Sequence, residues 1–470
     1  MSSQGLTHSQ RKMADAGVHP TAIDVFSRFY ELLDGGATGT VPEADVEPLT
    51  DVTHRRDLDI APHDAAAALA RTALVKLNGG LGTSMGMDRA KSLLTVRDTD
   101  HGPLTFLDII AGQVRAARAV TGAPLPLLFM NSFRTRDDTL AALAAYPDLA
   151  VDGLPLDFLQ NREPKLRADD LEPVEWPADP DLEWCPPGHG DLYTALVTSG
   201  ALQQLLDAGY LYASVSNSDN LGAAPDAAMA GWFAASGAPF AAEVARRTPA
   251  DRKGGHLVVR RSDGRLVLRE TAQTPVEDLV AAGDIERHRY FNTNNLWLDL
   301  RALAAELDRT GGVLGLPLIR NPKTVDPTDA SSTPVIQIES AMGAAIEVFE
   351  GATVIEVDRS RFLPVKATSD LLLLRSDVYE LGDDFTLAAQ VEAPLVDLDG
   401  AHYKLVGDFD PRFAQGAPSL RGARSLTVRG DWTFGRGVVA AGDAVLADAG
   451  EPRAVPDGAR VGPEGIVGTH

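Results

Sequence analysis

Apolar positions along this chain change their period twice. Between residues 22 and 33 they recur at helical spacing, with Phe26, Phe29, Tyr30 and Leu33 on one face. That spacing predicts a helix over 22–33, inside a helical N-terminal region that runs from residue 1 to about 70 and loosens at Asp34-Gly35-Gly36. From Thr72 the pattern becomes strand alternating with helix. Residues 73–77 (ALVKL), 125–130 and 210–215 read as short buried strands, and 104–120 and 191–206 as helices. Such alternation predicts an α/β domain over 71–380, built on a mainly parallel sheet covered on both faces. Residues 257–268 read as a hairpin around Ser262-Asp263-Gly264, set beside that sheet as an insertion. Past about Glu380 the helical period fades. Residues 426–428, 432–434, 438–439 and 444–446 are brief strands broken by glycine, which predicts stacked β-helix turns or the edge of a β-sandwich over 381–470.

Length and composition bound the function. A chain of 470 residues is too long for one ordinary core and implies two or three domains. Lys and Arg number 43 against 66 Asp and Glu, a formal charge of -23, which argues against nucleic-acid binding. Local donors can still hold one nucleotide. No apolar run is long enough to span a bilayer, so no membrane partner is expected. The opening MSSQGLTHSQ does not read as a secretory signal, and the single cysteine, Cys185, cannot form an intrachain disulfide. Together these features predict a cytoplasmic enzyme.

The candidate chemistry begins where the first buried strand ends. Leu77-Asn78-Gly79-Gly80-Leu81-Gly82-Thr83-Ser84-Met85-Gly86 carries four glycines in eight residues, from Gly79 to Gly86. Successive exposed N–H groups in such a loop form a concavity for an anion, and the carboxyl end of a parallel strand is where open α/β sheets bind ligands. Lys91 lies close enough to add a positive charge. The Gly-Lys-Ser/Thr ending of a P-loop is absent, and Asp98 lies too near the loop to serve a dinucleotide fingerprint. In Trp184-Cys185-Pro186-Pro187-Gly188-His189-Gly190-Asp191, prolines fix a turn, glycines leave His189 open, and Asp191 is expected to cap the next helix. Ser216-Asn217-Ser218-Asp219-Asn220 ends a strand with a carboxylate suited to Mg²⁺. Phe291-Asn292-Thr293-Asn294-Asn295 offers amides that suit sugar hydroxyls, Lys253-Gly254-Gly255 allows close backbone approach, and in the basic run 359–366 Lys366 could reach a phosphate.

These segments, in this order, resemble the eukaryotic-type UTP–glucose-1-phosphate uridylyltransferases. KLNGGLGTSMG, FMNSFRTRDDT, WCPPGHGDLY, SNSDNLGA, KGG, FNTNNLW and RSRFLPVK carry the resemblance from about residue 70 to 380, and HYKLVGDFDPRF and SLTVRGDWTFG extend it. It implies a GT-A-type nucleotidyltransferase with a Rossmann-like mixed sheet, an N-terminal helical region and a C-terminal left-handed β-helix, through which a homo-oligomer could form. It implies that Leu77, Asn78, Gly79 and Gly80 line the nucleotide and that Lys91 holds UTP phosphates. Gln160 and the Gly188 backbone would read uracil, and His189 would approach the sugar phosphate. Asn217, Ser218 and Asp219 would meet the ribose and the metal, with Asp219 the Mg²⁺ ligand. Gly255 and Asn295 would face glucose hydroxyls, and Lys366 would stabilise the transferring phosphate. Two positions depart from the family pattern: Arg89-Ala90 stands where Gly-Pro is usual before the lysine, and Cys185 where an aromatic residue is usual.

The implied reaction joins UTP and glucose 1-phosphate to give UDP-glucose and pyrophosphate. The nucleophile is already an anion, so the protein must position two polyanions and offset their repulsion. Two alternatives are the same reaction on another sugar, such as N-acetylglucosamine 1-phosphate, and a non-catalytic UDP-sugar sensor. Gly82-Thr83-Ser84-Met85-Gly86 favours glucose, and the retained Lys91, Asp219 and Lys366 favour an enzyme.

Overall fold

The computed structural model describes residues 2–99, 102–248, 251 and 254–469; Lys253 of the Lys253-Gly254-Gly255 run lies outside them. Among the described residues, ten strands form one central sheet. In chain order they are β1 (Val46–Pro48), β2 (Thr72–Asn78), β3 (Leu127–Asn131), β4 (Asp157–Leu159), β5 (Tyr212–Asn217), β6 (Phe240–Arg246), β7 (His256–Arg260), β8 (Leu266–Arg269), β9 (Tyr290–Asp299) and β10 (Thr353–Glu356). One half is parallel, in the order β5-β2-β3-β4. Here the strands are apolar runs without alternation because both faces are covered. On β2, Leu74 packs into one core while Ala73 and Val75 pack into the other. The helix Phe106–Thr121 covers the first face, started by a capping box between Thr105 and Asp108. The helices Pro20–Asp34 and Leu192–Thr198 cover the second.

The other half departs from the mainly parallel expectation. β9 runs antiparallel to both β5 and β6 and lies between them in the sheet. That hairpin turns at Gly264, as its sequence predicts, but it is no insertion beside the sheet. β7 pairs with β9 at His256–Phe291 and with β1 along its length, so hairpin and N-terminal segment extend the sheet. The N-terminal region therefore supplies a strand as well as helices. The helix expected over 191–206 is two, Leu192–Thr198 and Ala201–Asp207, interrupted at Gly200 with φ 76°.

Past residue 390 the chain coils. Strand Ser419–Val428 lies parallel to Val439–Leu446, which lies parallel to Ala459–Gly462, and Trp432–Phe434 lies parallel to Arg453–Val455. Leu426, Ala444, Phe434, Val455 and Val461 fill the space between the stacked turns. These ladders are parallel, and the last pair, Ala459–Gly462 with Gly465–Thr469, is antiparallel.

One buried ion pair ties the basic run to the sheet. Glu243, fully buried on β6, accepts two bonds from Arg361 (Nε to Oε2 2.8 Å, Nη2 to Oε1 2.7 Å). Asn295 Nδ2 and Trp297 Nε1, both on β9, donate to the same carboxylate at 3.0 Å. The Arg361 carbonyl accepts from Asn220 and Asn295 at 3.1 Å, and Asn220 Oδ1 accepts from the Leu363 N–H at 2.8 Å. Removing one partner of a buried pair strands the other charge, at a cost of about 3–5 kcal/mol. Glu243→Ala should lower the free energy of urea unfolding by roughly that amount; an unchanged unfolding midpoint would remove the pair from this role.

Candidate active site

All four parallel strands end on the same edge. Register aligns Asn217 with Leu77, Asn78 with Asn131, and Asn131 with Leu159. The chain leaves β2 toward β3 on one side and reaches β5 on the other, so a crevice opens beyond the carboxyl end of β2, at a topological switch point. A cavity of about 390 Å³ occupies it, lined by Leu77, Gly79, Gly80, Lys91, Met130, Gln160, Pro186, Gly188, His189, Asn217, Ser218, Asp219 and Glu339. A larger cleft of about 1030 Å³ lies elsewhere, but Asp169, Asp170, Glu172 and Glu175 on its wall would repel a nucleotide.

Ten of the fourteen residues singled out from the sequence line this one cavity. Gly79 is required by close approach: a Cβ there would lie 2.7 Å from Gln160 Oε1, so the glutamine amide rests directly on the glycine backbone. Lys91 crosses the cavity and donates to Asp219 Oδ2 at 2.6 Å and to the Val365 carbonyl. Ala90 beside it is fully buried, so the departure at Arg89-Ala90 leaves the lysine directed inward. Cys185 is buried as well, filling the place of an aromatic ring with a thiol.

The turn carrying His189 is laced to the segment after residue 339. Ser340 N–H donates to the Pro187 carbonyl at 3.0 Å, and Gly190 N–H to the Ser340 carbonyl at 2.8 Å. The Met342 N–H donates to His189 Nδ1 at 2.9 Å, which leaves the neutral ring's hydrogen on Nε2 as a donor. Burial lowers the His189 pKa from 6.5 to about 4, so the ring is neutral at physiological pH.

Four expected residues lie outside the cavity wall. The Asn78 side chain turns into the protein, where Nδ2 donates to Asn131 Oδ1 (2.8 Å) and Thr139 Oγ1 (2.9 Å) and Oδ1 accepts from Ser218 (2.9 Å). It joins β2, β3 and the loop after β5, and is not itself a wall. Asn295 is likewise consumed: its amide donates to Glu243 and Arg361, and its carbonyl accepts from Asn220 at 3.0 Å. Both N–H groups of its side chain are engaged, so it has no donor left for a sugar hydroxyl. Asp191 does not cap its helix either. Its carboxylate accepts from the Asn161 N–H (2.5 Å) and Nδ2 (2.8 Å) instead. Gly255 faces Glu270, whose Oε2 would lie 2.4 Å from a Cβ at Gly255. Lys366 is exposed, its ammonium 5.8 Å from the centre of the Phe362 ring. Burial raises the Glu270 pKa, and the Lys366 charge opposes that rise. Glu270 is a site candidate that the sequence did not flag; it ends an ordinary apolar strand with no motif around it. Met130 and Pro186 lie inside segments that carry the family resemblance but were given no role, and Glu339 lies in a segment not singled out.

Four adjacent parallel strands, a glycine-rich loop beneath a lysine and the Asp219 carboxylate paired with that lysine define a nucleotide-phosphate-binding α/β protein. The chain belongs to the UTP–glucose-1-phosphate uridylyltransferase family, whose model matches residues 23–440. It is 37% identical over 475 residues to the enzyme of that name from Solanum tuberosum, covering 97% of this chain and 95% of that one. It is 41% identical over 399 residues to the Hordeum vulgare enzyme, covering 84% and 81%. A variant of UDP-glucose pyrophosphorylase from Leishmania major, solved in complex with UDP-glucose, superposes with a TM-score of 0.91 at 40% identity over 98% of both chains. A Trypanosoma brucei structure gives 0.90 at 41% identity over 97% and 98%.

The His189 environment carries a pH prediction. The folded pKa lies below the ordinary value, so the unfolded chain binds more protons between pH 6.5 and about 4, and stability is lost as pH falls through that window. Against a His189→Gln variant, the wild-type protein should lose up to about 3 kcal/mol between pH 7 and pH 4. Urea unfolding at both pH values measures this, and a constant gap between the two proteins would contradict it.

Proposed function

We propose that this protein transfers the uridylyl group of UTP to glucose 1-phosphate, giving UDP-glucose and pyrophosphate. The observation that carries the reading is the convergence of Leu77, Gly79, Gly80, Lys91, Gln160, Gly188, His189 and Asp219 on one cavity at the switch point. Gln160 and the Gly188 backbone read the base edge, with the glycine loop holding the nucleotide's backbone side. Asn217 and Ser218 lie at the ribose. Lys91 is released from Asp219 to meet the phosphates. His189 Nε2 donates toward the sugar phosphate. Gly255 and Glu270 form the sugar shelf, with the Glu270 carboxylate accepting from hydroxyls in place of the expected Asn295.

A phosphate oxygen of glucose 1-phosphate attacks the α-phosphorus in line, a P–O bond forms, and the bond to the departing pyrophosphate breaks. No proton need move, so the protein's work is positioning and charge compensation. Lys366 acts from the rim, one residue beyond the carbonyl that Lys91 touches.

Among the described residues no three His, Cys, Asp or Glu side chains converge to build an all-protein metal cage. The Asp219 carboxylate suits Mg²⁺, which needs few protein ligands and keeps most of its shell for phosphate oxygens and water. Asp219 would hold it. Bound there, the ion would neutralise phosphate charge and polarise the α-phosphate.

The same reading assigns the sheet domain, over 71–380, to the GT-A type and the coiled strands of 381–470 to a left-handed β-helix, with 1–70 as the helical entry region. Any homo-oligomer would form through that last domain, where Ile466 and Val467 are exposed at the final hairpin. Among the described residues no helix is long and apolar enough to cross a membrane. The location we propose, the cytoplasm, rests on the family.

Pyrophosphate release from UTP and Mg²⁺ with glucose, galactose and N-acetylglucosamine 1-phosphates tests the reading. Release should be dominated by glucose 1-phosphate; dominance by another sugar would overturn the acceptor assignment. Lys366→Ala should lower kcat by about 10²–10³ while changing the KM for UTP far less. Unchanged turnover would remove Lys366 from the mechanism.

A further inference from the structure

We infer that Asp191 is a specificity-positioning residue: without touching the nucleotide, its carboxylate fixes the backbone register at which Gln160 meets the base. This rests on the proposed base-reading role of Gln160.

Gln160 lies just past the end of β4, outside any strand or helix. A side chain on such a segment can discriminate bases only if its backbone is held to a fraction of an ångström. Two anchors do this. On the near side, the Gln160 N–H donates to the Asn131 carbonyl at 2.8 Å, continuing the β3–β4 ladder. On the far side, both oxygens of Asp191 grip Asn161, Oδ2 at its N–H (2.5 Å) and Oδ1 at its side-chain amide (2.8 Å). Between these anchors the Gln160 amide is pressed on Gly79.

Asp191 itself is well supported. It is 4% exposed and opens the helix whose Tyr193 hydroxyl donates to the Met342 carbonyl at 2.6 Å. Gly190 and His189, beside it, are bonded to Ser340 and Met342. The Asp191 grip thus links two walls of the cavity, the Gln160 strand end and the Gly188-His189 turn. A carboxylate buried here merely for folding would be costly, since burial raises its pKa from 3.8 to about 7. Burial, and then the Asp191 charge, push the pKa of the neighbouring buried Glu163 well up, so that neighbour favours its neutral form. An apolar or amide side chain could fill the space at less cost; only a carboxylate accepts from both Asn161 donors.

The test is selectivity between UTP and CTP, read as the ratio of kcat/KM and separately as the ratio of dissociation constants by calorimetry. Asp191→Asn turns one of the two acceptors into an amide donor. The variant should lose roughly tenfold in UTP affinity and roughly tenfold in the UTP:CTP ratio, while kcat falls much less. Combining it with Gln160→Ala should reduce the ratio no further than Gln160→Ala alone. An unchanged ratio in folded Asp191→Asn protein would overturn the inference, as would full additivity with Gln160→Ala. Should that variant fail to fold, Asn161→Ala removes only the side-chain bond, and a smaller loss of selectivity is expected; an unchanged ratio there overturns it equally. Wild-type protein that binds UTP selectively but releases no pyrophosphate would contradict the transferase reading and leave the positioning role standing. Wild-type protein indifferent to the base would contradict the base-reading assignment itself.

Discussion

The buried Glu243–Arg361 pair is the constraint on which the rest of the site depends. The basic run 359–366 belongs to no strand of the central sheet, and chain entropy alone would leave it loose. Arg361 binds it to β6, and Asn220 binds it to the loop after β5. With those contacts made, the Val365 carbonyl meets Lys91, and Lys91 in turn meets Asp219. A carboxylate and a guanidinium this deep are favourable only as a fully bonded set, and Glu243 has four donors. Lys76, buried on β2, feels the same cluster. Burial and the Arg361 charge lower its pKa to about 7, while its ammonium holds Ser216 Oγ and the Ala223 carbonyl at 2.8 Å, on either side of the Asp219 loop.

The site also resolves an electrostatic conflict. A chain of charge -23 must hold polyanions. It does so where the backbone contributes most: at strand ends, in a glycine loop with free N–H groups, and beside a lysine whose partners are internal. The acidic surface lies elsewhere, as on the wall of the cleft beside Asp169 and Asp170. Neutral His189 fits this arrangement, since a hydrogen-bond donor is obtained there without placing a second buried cation next to Lys91.

Much of this was legible in the sequence, for identifiable reasons. Glycine density after a buried strand locates the phosphate loop, because only close backbone approach requires it. Ten cavity residues followed from motifs that keep their residues adjacent in space. What failed were side-chain directions. Asn78 and Asn295 sit in the right segments, but strand alternation and competing acceptors turn their amides inward. Asp191 looked like a helix cap because it precedes a helix, yet Asn161, thirty residues earlier in the chain, offered it two donors. The mixed sheet was implied by the resemblance, but the hairpin's place within it was missed because its apolar pattern does not say which edge it joins. Glu243 was a legible signal left unread: a lone acid in the apolar run FAAEVAR has to find a buried partner.

The most direct test of the central claim is a crystal structure with UDP-glucose and Mg²⁺. The account predicts uracil against Gln160 and the Gly188 backbone, glucose on the Gly255–Glu270 shelf, and Lys91 moved from Asp219 to the phosphates. UDP-glucose bound outside the cavity at the end of β2, or bound within it with Lys91 still paired to Asp219 and the phosphates elsewhere, would contradict it.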